Sequence, residues 1–190
     1  MSMFAHGRRR RMPRTYAPGS MSPEKTHISP EMTAAVGREL ARSVSFPITD
    51  SDIRRWAIAV SYPEPPPRLF WDAGYAANTS HAGIVAPEEF NPFAWMHQPD
   101  PDADGSQGYP PESALGLPVP PTTAVINGGI EVEYGVRMRP GDVITSVRRL
   151  DGYSEREGRL GLMLFTTTAD TWTNQRGEVV KVTRGTIIRY

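Results

Sequence analysis

Hydrophobic and polar residues alternate most clearly in the last third of the chain. Ile130, Val132, Tyr134, Val136 and Met138 fall on one face of an extended segment, with Glu131, Glu133 and Arg137 on the other. That period of two is the mark of a half-buried strand. Arg139-Pro140-Gly141-Asp142 predicts a turn, Val143 to Tyr153 a returning strand, and Glu157-Gly158-Arg159 a second turn. Leu160 to Thr173 then reads as a strand rich in Thr, Leu and Phe. Asn174-Gln175-Arg176-Gly177 predicts a hairpin with Gly177 at a positive φ, and Glu178 to Arg189 the last strand.

Earlier the period becomes helical. Thr49 is a good N-cap with Asp52 at the third position, and Ile53, Trp56, Ala57 and Val60 follow with helical spacing. Ser61-Tyr62-Pro63-Glu64-Pro65-Pro66-Pro67 ends that helix. Pro30 to Val36 predicts a short helix, Arg38 to Phe46 a first strand, and Asp72 to Ala77 a further helical turn. The apolar run Gly83 to Met96 carries its own start signals, with Pro87 in a first turn followed by Glu88 and Glu89. Phe90, Phe93 and Ala94 then share one face, so Pro87 to Trp95 is expected as a buried central helix, short or kinked at Pro92.

Joining the two halves predicts an α+β domain in which one long curved antiparallel sheet wraps around that central helix. Phe90, Phe93, Ile130, Val132, Tyr134, Leu162, Leu164 and Ile188 are the expected core and near-core residues. A shift of register at a bulge would turn part of that set outward.

Composition narrows the function. The 190 residues suit one domain plus a tail. Lys and Arg number 21, as do Asp and Glu, so no general nucleic-acid or membrane surface is indicated. The lack of cysteine excludes disulfide scaffolds, cysteine zinc sites and thiol nucleophiles, and fits a cytoplasmic protein. No apolar run is long enough for a membrane helix, and no signal-peptide core is visible at the N-terminus. Residues 1–30, with Arg8 to Arg11, Arg14 and four prolines among them, read as a disordered basic leader, with an anionic-surface arm as the rival reading. Gln98 to Thr123 is a long proline-rich loop. Its Asp100, Asp102, Asp104 and Gly105 start a calcium-loop spacing but lack the closing Glu.

The remaining candidates are few. His6, His27, His81 and His97 show no metal-ligand spacing and no adjoining carboxylate motif; His81 and His97 flank the central segment. Trp56, Trp71, Trp95 and Trp172 read as core or interface, since no basic groove interleaves them. Gly128 and Gly129 permit close approach of a ligand backbone, or simply a bulge. Glu88 and Glu89 serve either the helix dipole or, in an enzyme reading, water activation.

The order of these parts resembles the N-terminal MaoC-like (FAS1-like) dehydratase domain family. The matching pieces are Asp52 to Ala57, Phe70-Trp71-Asp72, Gly83 to Pro87, Gly128-Gly129-x-Glu131, Arg139 to Asp142 and Thr173 to Glu178. The resemblance implies a single hotdog domain over residues 31–190 and a role with (3R)-hydroxyacyl or enoyl thioesters of coenzyme A or acyl carrier protein. Catalytic members carry D-x-N-P-x-H after the second helix, whose Asp and His are the acid–base pair. Here Tyr62 stands at the Asp position and Pro67 at the His position. The usual oxyanion-binding Gly is replaced by Glu88, whose charge would repel a developing oxyanion.

The resemblance therefore implies a degenerate subunit without catalytic residues of its own, housing the acyl chain beside a catalytic MaoC-like hotdog partner in a heterodimer. Tyr62, His81, Val85, Phe90, Phe93, Gly128 and Gly129 are the expected substrate-binding residues. No metal and no cofactor are expected. The alternatives are a hotdog thioesterase using Glu88 or Glu89, and a non-enzymatic acyl-thioester-binding module.

Overall fold

A computed structural model describes residues 26–96 and 110–190. Two short helices open the fold on either side of the first strand: α1 (Pro30–Ala34), β1 (Glu39–Val44) and α2 (Asp50–Ser61). The Thr49–Asp52 capping box closes the start of α2 as the sequence predicts, with Asp52 N–H bonded to Thr49 Oγ1 at 3.1 Å and Thr49 N–H to Asp52 Oδ2 at 3.0 Å. After the proline run comes one 3-10 turn (Arg68–Phe70) and then α3 (Ala73–Ala77), capped by Asp72. The single turn α4 (Pro111–Ala114) precedes four strands: β2 (Val125–Tyr134), β3 (Thr145–Gly158), β4 (Gly161–Thr173) and β5 (Val179–Arg189).

All five strands form one antiparallel sheet in the order β1-β3-β4-β5-β2. The long β3–β4 hairpin is in register from Thr145↔Thr173 to Gly158↔Gly161. Gly177, at φ 78°, lets Asn174 to Gly177 close the β4–β5 turn, where a side chain would be strained. Gly135 has a different reason. A Cβ there would lie 2.1 Å from the carbonyl oxygen of Val179, so only glycine lets the chain leave β2 this close to β5.

The turns Arg139 to Asp142 and Asn174 to Glu178, separate in sequence, meet in space. The buried Asp142 carboxylate accepts from Arg139 N–H at 2.9 Å, Gln175 Nε2 at 3.3 Å and Arg176 Nη1 at 3.1 Å. Backbone bonds from Ile48 N–H to Asp142 C=O and from Gly141 N–H to Ile48 C=O tie the entry to α2 into the same knot.

Two apolar clusters sit against the sheet. The larger joins Ile48 and Ile53 to Ala86, Phe90, Met138, Ile144, Trp172 and Val180, with Trp56, Phe70, Ile84 and Phe93 packed on it. The smaller joins Ala35, Leu115 and Leu150, with Leu40, Leu117 and Tyr153 around them. The sheet thus wraps around the predicted segment, but that segment is not a continuous helix. Pro87 to Phe90 makes one turn, with Phe90 N–H bonded to Pro87 C=O at 3.1 Å, and Asn91 to Met96 makes another. Pro92 has no N–H to offer the preceding turn and pushes Asn91 out of helical geometry. Asn91 Oδ1 instead accepts from Phe93 N–H at 3.0 Å.

The broken segment also explains a second correction. Phe90 and Leu164 are fully buried and Phe93, Leu162 and Ile188 partly so, whereas Ile130, Val132 and Tyr134 are exposed, Ile130 to 65%. β2 is one of the two edge strands, and every one of its residues is exposed. Its alternation marks an apolar face, but nothing among the described residues covers it.

The expected leader falls mostly outside the described residues, as do Asp100, Asp102 and Asp104. Thr26 and His27, at its described end, bond to the carboxylate of Glu155 on β3. Replacing Asp142 by Ala should lower stability by about 1–3 kcal/mol, because three donors lose a buried acceptor. Denaturant unfolding of the variant checks this.

Candidate functional site

The stretch from Tyr62 to Val85 is shaped by its own polar contacts. Arg68 donates to Asp72, Nη2 to Oδ2 at 2.6 Å, and its guanidinium lies 4.8 Å from the ring centre of Tyr75. Trp71 Nε1 donates to Pro66 C=O at 3.0 Å, which fixes the proline run against the following turn. Tyr62 caps the C-terminal end of α2 and is 83% exposed, so it faces solvent.

The His81 carbonyl accepts from Arg139 Nη2 at 2.6 Å, and its N–H donates to Thr79 Oγ1 at 3.2 Å. Both bonds use the backbone of His81. Just beyond, Ala86 N–H donates to Met138 C=O at 2.8 Å, pinning the segment to the connection between β2 and β3, and Val85 is completely buried. Phe90 packs edge-on to Trp56 with centroids 5.6 Å apart, and Phe93 edge-on to Trp172 at 5.0 Å. On the other side of Trp172, Lys181 Nζ stands 3.6 Å from the ring centre. Burial holds the Lys181 ammonium below its ordinary pKa, partly offset by Asp170 and Glu89.

Phe90 and Phe93 thus come together in the larger apolar cluster, whereas Val85, although fully buried, is not part of that cluster, and His81 lies at the head of the same segment. Gly128 and Gly129 do not join them. They lie on β2, where the pairing with β5 shifts register between Asn127 and Gly129, and Gly129 has φ 127°. A Cβ on Gly128 would meet Thr186 and Ile188 atoms at 3.0 Å. The bulge accounts for both residues. Glu88 is not a free carboxylate, since Oε1 lies 2.9 Å from Arg137 Nη1.

One constellation escaped the sequence reading. Glu112 of α4 and Arg189 at the end of β5 are 0% and 3% exposed and pair through two bonds, Nη1 to Oε2 at 3.0 Å and Nη2 to Oε1 at 2.8 Å. Arg189 Nη2 also donates to the buried Thr166 Oγ1 at 2.8 Å. The Tyr153 hydroxyl is close enough to feel the carboxylate without completing a hydrogen bond to it. Burial opposes the charge on Glu112 and is the largest single influence. The bonds from Arg189, with the Tyr153 hydroxyl behind them, together outweigh it and hold the carboxyl below its ordinary pKa. Burial, then the Glu112 carboxylate, push the Tyr153 phenol well up. Glu112 sits in a proline-rich loop, 77 positions from Arg189 on the last strand, so no local pattern connects them.

Two pockets border these parts. One, of about 230 Å³, lies between the β1–α2 connection and the Asn91–Met96 turn and touches Phe90. The other, of about 220 Å³, lies where residues 110–125 pass the end of β5. No helix among the described residues is long and apolar enough to cross a membrane.

With this geometry in place, the wider relationships are plain. Residues 34–183 match the FAS1-like, dehydratase domain region family, and the chain belongs to that family. Its fold is the hotdog of MaoC-like dehydratases. The chain is 29% identical over 168 residues to a probable enoyl-CoA hydratase alpha subunit from Thermomonospora curvata, covering 84% of this chain and 50% of the relative. It therefore spans about half the length of that protein. Among solved structures, the ChsH1-ChsH2 complex from Mycobacterium tuberculosis superposes with a TM-score of 0.59 at 17% identity, over 84% of this chain and 87% of that one. A MaoC-like dehydratase superposes with a TM-score of 0.52 at 20% identity, over 82% of this chain and 42% of that one. At such identities the likeness speaks for the fold.

Breaking the buried pair is expected to be severe. Glu112→Ala leaves Arg189 charged and unpaired, at a cost of about 3–5 kcal/mol, read by thermal or denaturant unfolding. The pH dependence has a definite sign. A carboxyl depressed in the folded state stabilises fully above its unfolded pKa of about 4.3 and loses that contribution as pH falls through the folded value. Glu112→Gln should therefore show a shallower loss of melting temperature below about pH 4 than the parent chain.

Proposed function

We propose that this chain is the degenerate, non-catalytic hotdog subunit of an (R)-specific enoyl-thioester hydratase, or 3-hydroxyacyl-thioester dehydratase in the reverse direction. It binds the acyl thioester beside a catalytic MaoC-like hotdog subunit, to which it adds wall and floor. The observation that carries this reading is the state of the positions where the resembling enzymes keep their acid and base. Tyr62 is solvent-facing at a helix end, and Pro67 has no proton to give. Glu88, at the oxyanion position, is engaged by Arg137.

The open sheet edge supports a pair. β2 presents ten exposed residues and an apolar face to solvent, an arrangement that invites another strand. The relative from Thermomonospora curvata is named as an alpha subunit, and the ChsH1-ChsH2 structure is a complex of two proteins. Within such a pair we assign Val85, Phe90 and Phe93 to the buried wall, with His81, Tyr62, Gly128 and Gly129 at its margins. The domain is taken as residues 31–190, working in the cytoplasm without metal or cofactor. The Glu88–Arg137 pair also weighs against a thioesterase that uses Glu88 as its base.

The test is co-expression with a hotdog protein that carries D-x-N-P-x-H. The purified chain alone should hydrate enoyl-CoA no faster than buffer, and the co-purified pair should do so with ordinary enzyme rates of about 1–1,000 s⁻¹. Robust hydratase activity from this chain alone would overturn the proposal. Release of free thiol that disappears in Glu89→Ala would favour the thioesterase instead.

A further inference from the structure

Of the 21 basic residues in the sequence, only Lys25 and Lys181 are lysines. Lys181 is set apart again by its place in the sheet. In the antiparallel ladder it stands opposite Trp172 of β4 on one side and Tyr134 of β2 on the other. Directly opposed residues share a face of a sheet. Trp172 is packed in the larger apolar cluster, so the row Trp172, Lys181, Tyr134 lies on the core-facing side. Alternation along β2 puts Ile130 and Val132 on that same side, where they are exposed together with Tyr134.

That row holds donors without acceptors. Lys181 Nζ lies 3.6 Å from the Trp172 ring centre and makes no hydrogen bond or ion pair among the described residues. The indole N–H of Trp172 is buried and also has no partner there. The acids around Lys181 are engaged or remote. Asp170 accepts from Ser146 Oγ at 2.6 Å and has Arg148 as its cross-strand neighbour, and Glu89 is exposed. Both acids favour the ammonium, yet burial is the larger influence and lowers its pKa. Lys181 is thus a half-buried cation without a counterion, beside a strand face that nothing described covers.

Covering that face takes Lys181 further from water. A wholly apolar cover would strand the ammonium, and a basic one would repel it. A second copy of this chain, meeting the face through its own β2, would present Ile130, Val132 and Tyr134, with no carboxylate among them. We infer that the chain covering the β2 face carries an Asp or Glu side chain that pairs with Lys181, so that this lysine selects the partner by charge. The inference rests on the proposed pairing with a second hotdog subunit. It adds the chemistry which that subunit must present opposite Lys181.

The scarcity of lysine makes the test direct. With lysine labelled isotopically, the full chain gives side-chain NMR signals from Lys25 and Lys181 alone, and Lys181→Met assigns them. The Lys181 ammonium is titrated in the chain alone and in the co-purified pair. Its pKa should lie below the ordinary lysine value in the chain alone and rise clearly in the pair, because a facing carboxylate favours the charged form. A value that stays put or falls further in the pair sinks the inference. So does self-association of the chain alone that raises the Lys181 pKa, since the acceptor would then be its own.

Affinity within the pair gives the second readout. Lys181→Met, which keeps the length of the side chain without its charge, should weaken the pair about tenfold or more. Lys181→Arg should retain most of the affinity, and Arg42→Met, on the opposite edge strand, should leave it unchanged. Equal losses in Lys181→Met and Arg42→Met would count against a specific contact and overturn the inference. An active pair whose Lys181 signal does not move refutes the inference alone. A chain that pairs with no motif-bearing hotdog refutes the functional reading, and the inference with it.

Discussion

Everything in this fold turns on burying Phe90 in a segment that cannot be a helix. Its ring is wholly enclosed, edge-on to Trp56 of α2 and packed with Met138, Ile144, Trp172 and Val180 from the sheet side. Removing a side chain of that size from water is worth about 1.5–3 kcal/mol, enough to hold the chain on the sheet without regular structure. Pro92 denies the segment a continuous helical ladder, so the backbone meets its needs through short turns, the Asn91 side chain and one bond from Ala86 to Met138. Helix α2 and the sheet meet through this plug.

The brevity of that plug has consequences at both margins of the sheet. β2 keeps a long apolar face and a row of unpaired backbone groups that nothing in the described chain covers. On the far part of the sheet, the covering is supplied by α1 and by the stretch from Pro111 to Leu117, clamped by the Glu112–Arg189 pair. A buried ion pair of this kind is weak support for stability compared with apolar packing of equal volume. Its geometry is demanding, though, because Glu112 of α4 must meet both guanidinium nitrogens of Arg189, whose Nη2 also donates to Thr166. We read it as the element that specifies where a proline-rich, otherwise unpatterned loop lies.

Each of the conspicuous polar residues has a structural partner in this fold. Glu88 faces Arg137, Asp142 organises two turns, His81 is held through its backbone, and Asp52 caps a helix while keeping one oxygen free. The charged groups of the described chain are largely spent on fixing loops. What remains open is apolar and aromatic: the β2 face and the pocket between Phe46 and Trp95. An exposed apolar edge strand of that kind is suited to pairing with another strand.

Much of this was legible in the sequence because it depends on local physics. Period-two alternation located β2, turn signals between apolar runs located β3 to β5, the Thr49–Asp52 box located α2, and Gly177 marked its turn, since each is set by backbone geometry within a few residues. The family resemblance was carried in the same way, by short motifs in order. Burial was less legible. Phe90 and Leu164 are inside while Ile130, Val132 and Tyr134 are outside, although all have equal claim by pattern. Periodicity says that a strand has an apolar face, and only the packing of other segments says whether that face is covered. The Glu112–Arg189 pair lay beyond sequence reading altogether, because its partners are 77 positions apart and Glu112 lies in an unpatterned proline-rich loop. Their meeting is decided by which loop reaches the uncovered end of the sheet, and that is a property of the whole fold.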